Sequence, residues 1–228
     1  MTTKSALAPD CEQAIESVLA LGRESTPSLR LKQLTIPAHL DFLEHLAHAI
    51  WQADHLLRAT IRFAVEHVTL WESLGDLAPA IHADIVRAIR QAHLADISPA
   101  VDQVRLHMRR RDSQASPRPP RGPLGRLAQQ AGADISALAD AVPSSGSIED
   151  MRLLLDAGCN VLAALAATCG HEAELIDAAY ESTGIGRWAA PVHEILADAQ
   201  STLSHANTSL LAAHATAQQA AKPKRRRA

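Results

Sequence analysis

Five of the chain's 12 histidines lie between Ile36 and Trp71. On a helix turning ~100° per residue, His45, His48 and His55 share an arc of about 80°. Asp41 and Gln52 fall inside that arc; Glu44 borders it and Glu66 shares it. Neutral imidazoles and carboxylates one turn apart can share a transition metal, so Glu44, His45, His48 and His55 are candidate ligands. Neither the Glu-x-x-His pairs of di-iron bundles nor an HExxH motif accompanies them. The stripe therefore predicts a solvated polar face first and a pH-sensitive partner surface second. A metal-dependent helical enzyme comes last.

Charge supplies the other candidate chemistry. Six arginines, Arg109, Arg110, Arg111, Arg118, Arg121 and Arg126, stand against the single acid Asp112, giving +5 over residues 109–126. The tail adds another +5 through Lys222, Lys224, Arg225, Arg226 and Arg227. Since the whole chain sums to −3, the remainder carries −13. Cationic arms of this kind bind polyanions without sequence preference, or dock on an acidic surface such as the rest of this chain.

Residues 124–143, LGRLAQQAGADISALADAVP, have the small and apolar spacing of a helix-turn-helix: Ala128, Ala131 and Gly132, then Leu138 and Ala141. The second helix would expose Asp134, Ser136, Ala137 and Asp140, two acids and no base, which phosphates repel. A plain helical hairpin is expected, and DNA reading is the alternative. No P-loop, GxSxG or strand-borne GxGxxG is present, and no cofactor is implied. The two glycines of TGIGRW, residues 183–188, suit a helix C-cap as well as an anion cradle. The motifs identify no family.

These residues need helices to position them. Ile36, Leu40, Leu43, Ala47, Ile50, Asp54, Leu57, Ile61, Ala64, Val68 and Trp71 alternate steps of four and three. That 3.5-residue period predicts one long helix over 37–74, packed lengthwise on others. Asp54 is its one polar member. A carboxylate there requires a partner, expected from an Arg or His of a neighbouring helix, and would fix register. Asp156 and Asn160, one turn apart within the apolar run 153–169, invite the same reading. A second seam predicts a long helix over 188–221: Val192, Leu196, Ala199, Leu203, Ala206, Leu210, Ala213, Ala217 and Ala220. Pro37/Pro191 and His39/His193 match faintly at an offset of 154.

Further helices are expected over 10–22, 77–94, 98–111, 124–131, 134–142, 147–170 and 172–182, with Gly22, Gly75 and Gly170 as stops. Ser147 and Asp150 have capping-box spacing. DSQASPRPPRGPLG, residues 112–125, reads as an extended linker and the boundary between an N-terminal region, 1–111, and a C-terminal one, 126–221, ahead of the basic tail, 222–228. Hydrophobic residues make up 47% but aromatics 3%, so helices must approach closely through Ala and Leu.

Cys11, Cys159 and Cys169 form no CxxC and suit buried positions in a reducing cytoplasm. The N-terminus lacks a signal-peptide core, and the apolar run 153–169 is too short and polar to span a membrane. The excess of Arg over Lys, 18 to 4, suggests a bacterial coding sequence. The expectation is an all-α, elongated helical bundle. Its expected role is non-enzymatic interaction and assembly: self-association through the long helices, basic arms for an anionic partner, and no membrane contact. A DNA-associated accessory protein using 124–143 and the tail is the alternative.

Overall fold

The computed structural model describes residues 5–26, 35–111, 122–143, 146–183 and 189–221. Among these residues the chain is all-helical, with no strand. The helices in chain order are α1 (Ala8–Glu24), α2 (Ile36–Glu66), α3 (Val68–Leu74), α4 (Ala78–Leu94), α5 (Ser98–Arg111), α6 (Pro123–Ala141), α7 (Ile148–Thr183) and α8 (Ala189–Ala220). Prolines sit in the first turns of α1, α2, α4 and α6, where a missing N–H is one of the groups left unpaired anyway. The capping box opens α7: Ser147 N–H and Oγ–H both donate to Asp150 Oδ2 at 2.7 Å, and Asp150 N–H returns to Ser147 Oγ at 3.2 Å.

The expected helix over 37–74 is interrupted. His67 leaves helical geometry at φ −94°, ψ 88°, ending α2 and starting α3. The seven-residue α3 buries Leu70 and Leu74, and Trp71 meets His82 of α4 edge-on with ring centroids 6.0 Å apart. The turn at His67 thus lets the last residues of the seam pack on α4, although their spacing alone reads as one rod. Gly75 does end α3, with a left-handed φ of 55° that favours glycine.

Two expected breaks are absent. Gly132 lies inside a continuous α6 and Gly170 inside a continuous α7 of 36 residues. Both mark close approaches. A Cβ at Gly132 would stand 3.3 Å from His48 Cδ2 and 3.5 Å from Ala49 Cα on α2. At Gly170 it would lie 2.6 Å from the Gln200 side chain of α8. Gly22 likewise falls within α1, two residues short of its end.

One hydrophobic core joins helices on both sides of residues 112–121. α7 packs on α8 and α1; α2 packs on α6, α4, α7 and α5; α8 also packs on α4. The expected seam of α8 is buried from Val192 to Ala217, against these neighbours. On α2 the deepest line is displaced by one residue from the expected one. His39, Phe42, Leu46, Ala49, Ala53, Leu56, Thr60 and Phe63 repeat at steps of three and four, each 2% exposed or less. Ile36, Leu40, Ala47 and Ile61 of the expected seam are only partly buried against the core. One residue is ~100° of rotation, so the two lines together make a wide buried arc.

Ile148–Ala179 is apolar and long enough to cross a membrane by composition, with mean hydropathy 1.6. In this fold it is a core helix, with 72% of its most apolar window buried in the bundle.

Within the core, His39 Nδ1 of α2 stands 3.2 Å from Glu172 Oε2 of α7, the two side chains 1% and 0% exposed. Taking one member from a buried pair strands its partner's polar group, whereas replacing both by apolar groups does not. Glu172→Ala is therefore expected to lose about 3–5 kcal/mol and roughly 10 °C in melting temperature. The double variant His39→Leu/Glu172→Leu should recover most of that loss. Circular-dichroism melts check it, and a single variant melting with the parent contradicts it.

Candidate functional site

The histidine stripe is a contact face. Gly125 and Gly132 of α6 meet Asp41 and His48 of α2, seven residues apart on each helix, and Asp140, eight further along α6, comes near His55, seven further along α2. The helices therefore run parallel in register, with the α6 glycines leaving room for the α2 side chains. The expected face turned to solvent or to a second partner keeps His48 exposed, but α6 of the same chain lies along it and leaves His45 part-buried. Small residues at positions read as breakers hid the match.

The four candidate metal ligands turn to separate partners. Glu44 Oε1 accepts from Arg105 Nη2 of α5 at 2.9 Å, raising the guanidinium above its ordinary pKa. His45 Nε2 lies 3.7 Å from Asp41, His48 Nε2 lies 3.2 Å from Gln52 Nε2, and His55 Nε2 is 3.9 Å from Asp140. No group of three His, Cys, Asp or Glu side chains converges among the described residues.

Asp54 is buried, as its seam position implies, but its partner is on its own helix. Arg58 Nε donates to Oδ2 at 2.7 Å, and that hydrogen bond, with the carboxylate charge, raises the Arg58 pKa. The neighbouring-helix Arg or His expected there is replaced by this i,i+4 pair, because the α4–α5 corner opposite is hollow rather than packed. Asp156 is exposed and Asn160 half-buried, with Asn160 Nδ2 donating to the Asp156 carbonyl at 2.8 Å. Neither occupies the core, since both sit on the outer edge of an otherwise buried helix.

The hollow beside Asp54 measures about 480 Å³ and opens between α2 and residues 92–98. Trp51 lies at its mouth, 61% exposed. The indole is near-parallel to His48 and His55, one turn before and after it, at centroid distances of 5.9 and 6.2 Å. Below the indole, Ala47, Ile50, Ala92, Ala95 and Ile97 form an apolar floor. A second hollow of about 500 Å³, lined by Val65, Trp71, Pro79 and His82, carries no carboxylate.

The ends of the first basic strip come to one place. Arg109 lies beside Leu40 of α2, and Gly122, opening α6, stands where a Cβ would be 3.6 Å from Ala38 Cβ. Arg109 and Arg126 are exposed. Arg110 and Arg111 belong to the end of α5, while Arg118, Arg121, Lys222, Lys224, Arg225, Arg226 and Arg227 lie outside the described residues. So does the glycine pair of TGIGRW.

The helical hairpin expected over 124–143, with its alternative of a DNA-reading helix-turn-helix, is instead the single helix α6, with Ala128, Ala131, Ile135 and Leu138 turned into the core. Its Asp134 carboxylate accepts from Ser17 and Gln13 of α1 and from Gln130, so it braces two helices.

Sequence reasoning missed the paired roles of His39 and His193. Each sets Nδ1 against a carboxylate of α7, Glu172 at 3.2 Å and Asp177 at 3.0 Å. The offset match of the two histidines was the available signal. No protein-family model, curated protein or solved structure is significantly similar to this chain.

Cys11, Cys159 and Cys169 are free and buried. Burial pushes all three thiols up to about 12, with nearby carboxylates adding to the effect at Cys11 and Cys159. At pH 8 only about one thiol in ten thousand is then ionised. The native protein is expected to react negligibly with Ellman's reagent at pH 8 and to release three thiols on denaturation. Rapid reaction of the folded protein contradicts this environment.

Proposed function

We propose that the chain is a non-enzymatic helical interaction protein, an elongated bundle whose two basic strips engage an anionic partner. The observation that carries this reading is charge segregation: two strips of +5 on a chain that otherwise sums to −13. The common anchorage of residues 109 and 122 beside the first turns of α2 supports it, because it tethers the first strip to the bundle at both ends. Binding of this type draws on counterion release rather than base reading. With α6 continuous, a DNA-associated role rests on the strips alone. Three buried unpaired thiols suit a reducing, cytoplasmic setting.

Self-association is the second reading, on a narrower footing. The α8 seam is buried within the chain, so a second copy would meet the outer faces that carry Trp51, Val65 and Leu211, large apolar residues left exposed. A solution mass above that of one 24.4 kDa chain supports it, and a mass equal to one chain removes it.

The main test is fluorescence anisotropy of a labelled duplex of about 30 base pairs at two salt concentrations. The full chain is compared with one ending at Ala221. The expected result is binding that weakens with salt, with a log–log slope flattened by up to about 4 when the five tail cations are removed. Absence of binding to both the duplex and poly-glutamate at low salt contradicts the proposal.

A further inference from the structure

We propose that the hollow between α2 and the α4–α5 corner is a binding site for a small protonated amine with an apolar body. The site stands apart from the basic strips, and its chemistry is opposite in sign.

Asp54 makes the first argument. It is 8% exposed and lines the hollow, with Oδ2 bound by Arg58. Its second oxygen, Oδ1, is buried without a hydrogen-bond partner. A buried carboxylate oxygen left unpaired is costly, and a donor that met it from the hollow, on a small rotation of the Asp54 side chain, would offset that cost.

Charge makes the second. The wall carries two carboxylates, Asp54 and Asp96, and two imidazoles, His48 and His93, with no Lys or Arg. Asp96 Oδ1 takes the Ser98 N–H at 2.9 Å, which fixes the carboxylate at the start of α5. Arg58 reaches Asp54 but is not part of the wall. A ligand entering here meets net negative charge in a partly desolvated space, which selects a cation.

Shape and surface make the third. About 480 Å³ suits a small organic molecule, and the floor below Trp51 is apolar. With His48 and His55 stacked near-parallel to it, the exposed indole offers its edge as an apolar wall to the body of the ligand. Oδ1 accepts but cannot donate, so the cation must carry an N–H. A primary or secondary ammonium meets that condition; a quaternary one does not.

Calorimetric titration of the full chain with phenethylamine tests the site, alongside its trimethylated analogue and phenylacetate. Phenethylamine is expected to bind one per chain, more tightly than the trimethylated form, and phenylacetate not at all. Asp54→Asn should weaken the amine by about tenfold or more, the value of one charge-assisted hydrogen bond. Trp51→Leu should weaken it as well. Asp96→Asn keeps a carbonyl to cap Ser98 and alters an exposed residue, so it decides the case should Asp54→Asn fail to fold; it too is expected to weaken the amine. No binding of phenethylamine overturns the proposal. So does equal binding of phenylacetate or of the trimethylated form, or an unchanged affinity in folded Asp54→Asn or Asp96→Asn.

Discussion

The parallel approach of α2 and α6 is the contact on which the rest of this molecule depends. Gly125 and Gly132 let the α6 backbone lie against Asp41 and His48: a Cβ at Gly125 would overlap the Asp41 carboxylate, and one at Gly132 would press on the His48 ring at 3.3 Å. With α6 along one flank of α2, the helix can bury His39, Phe42, Leu46 and Leu56 on another and still present Trp51 on a third. A chain with 3% aromatic residues has few large rings to fill wide gaps, so close contacts through glycine and alanine take their place. Gly158 and Gly170 on α7, facing Leu210 and Gln200 of α8, repeat the device at the other main interface.

This contact also arranges the polar residues. It places Asp140 near His55 and turns Asp134 toward Ser17 and Gln13 of α1, so acids that would repel phosphate serve to join helices. It brings the start of α6 to the same turns of α2 that Arg109 approaches, which sets where the first basic strip leaves and rejoins the bundle. Next to this contact, across His48, the corner between α4 and α5 stays clear of Asp54 and leaves the hollow open.

Much of the helical architecture was legible because apolar spacing survives without tertiary knowledge. The seam from Val192 to Ala217 is buried as its period predicts, and the boundaries of α4 and α5 follow their Pro and Ser signals. Two features were not legible. The deepest line of α2 contains His39 and Thr60, so apolar spacing alone marks the neighbouring line, which only Asp54 interrupts. Glycines inside helices look the same in sequence as glycines that end them. Gly75 ends a helix and Gly132 does not, and the difference lies in which backbone passes beside each. The heptad match of Gly125 and Gly132 to Asp41 and His48 was present in the sequence, but only the pairing of α2 with α6 gives it meaning. For the candidate site, the spacing of His48 and His55 was readable; Trp51 between them and the hollow beneath it required the fold.

Hydrogen exchange across residues 126–140, followed by mass spectrometry on the native chain, tests the α2–α6 contact most directly. A continuous helix held against α2 predicts slow exchange through Gly132, matching the amides on either side. Fast exchange confined to the amides around Gly132, between two protected segments, would mean a hairpin at that point and would contradict this account.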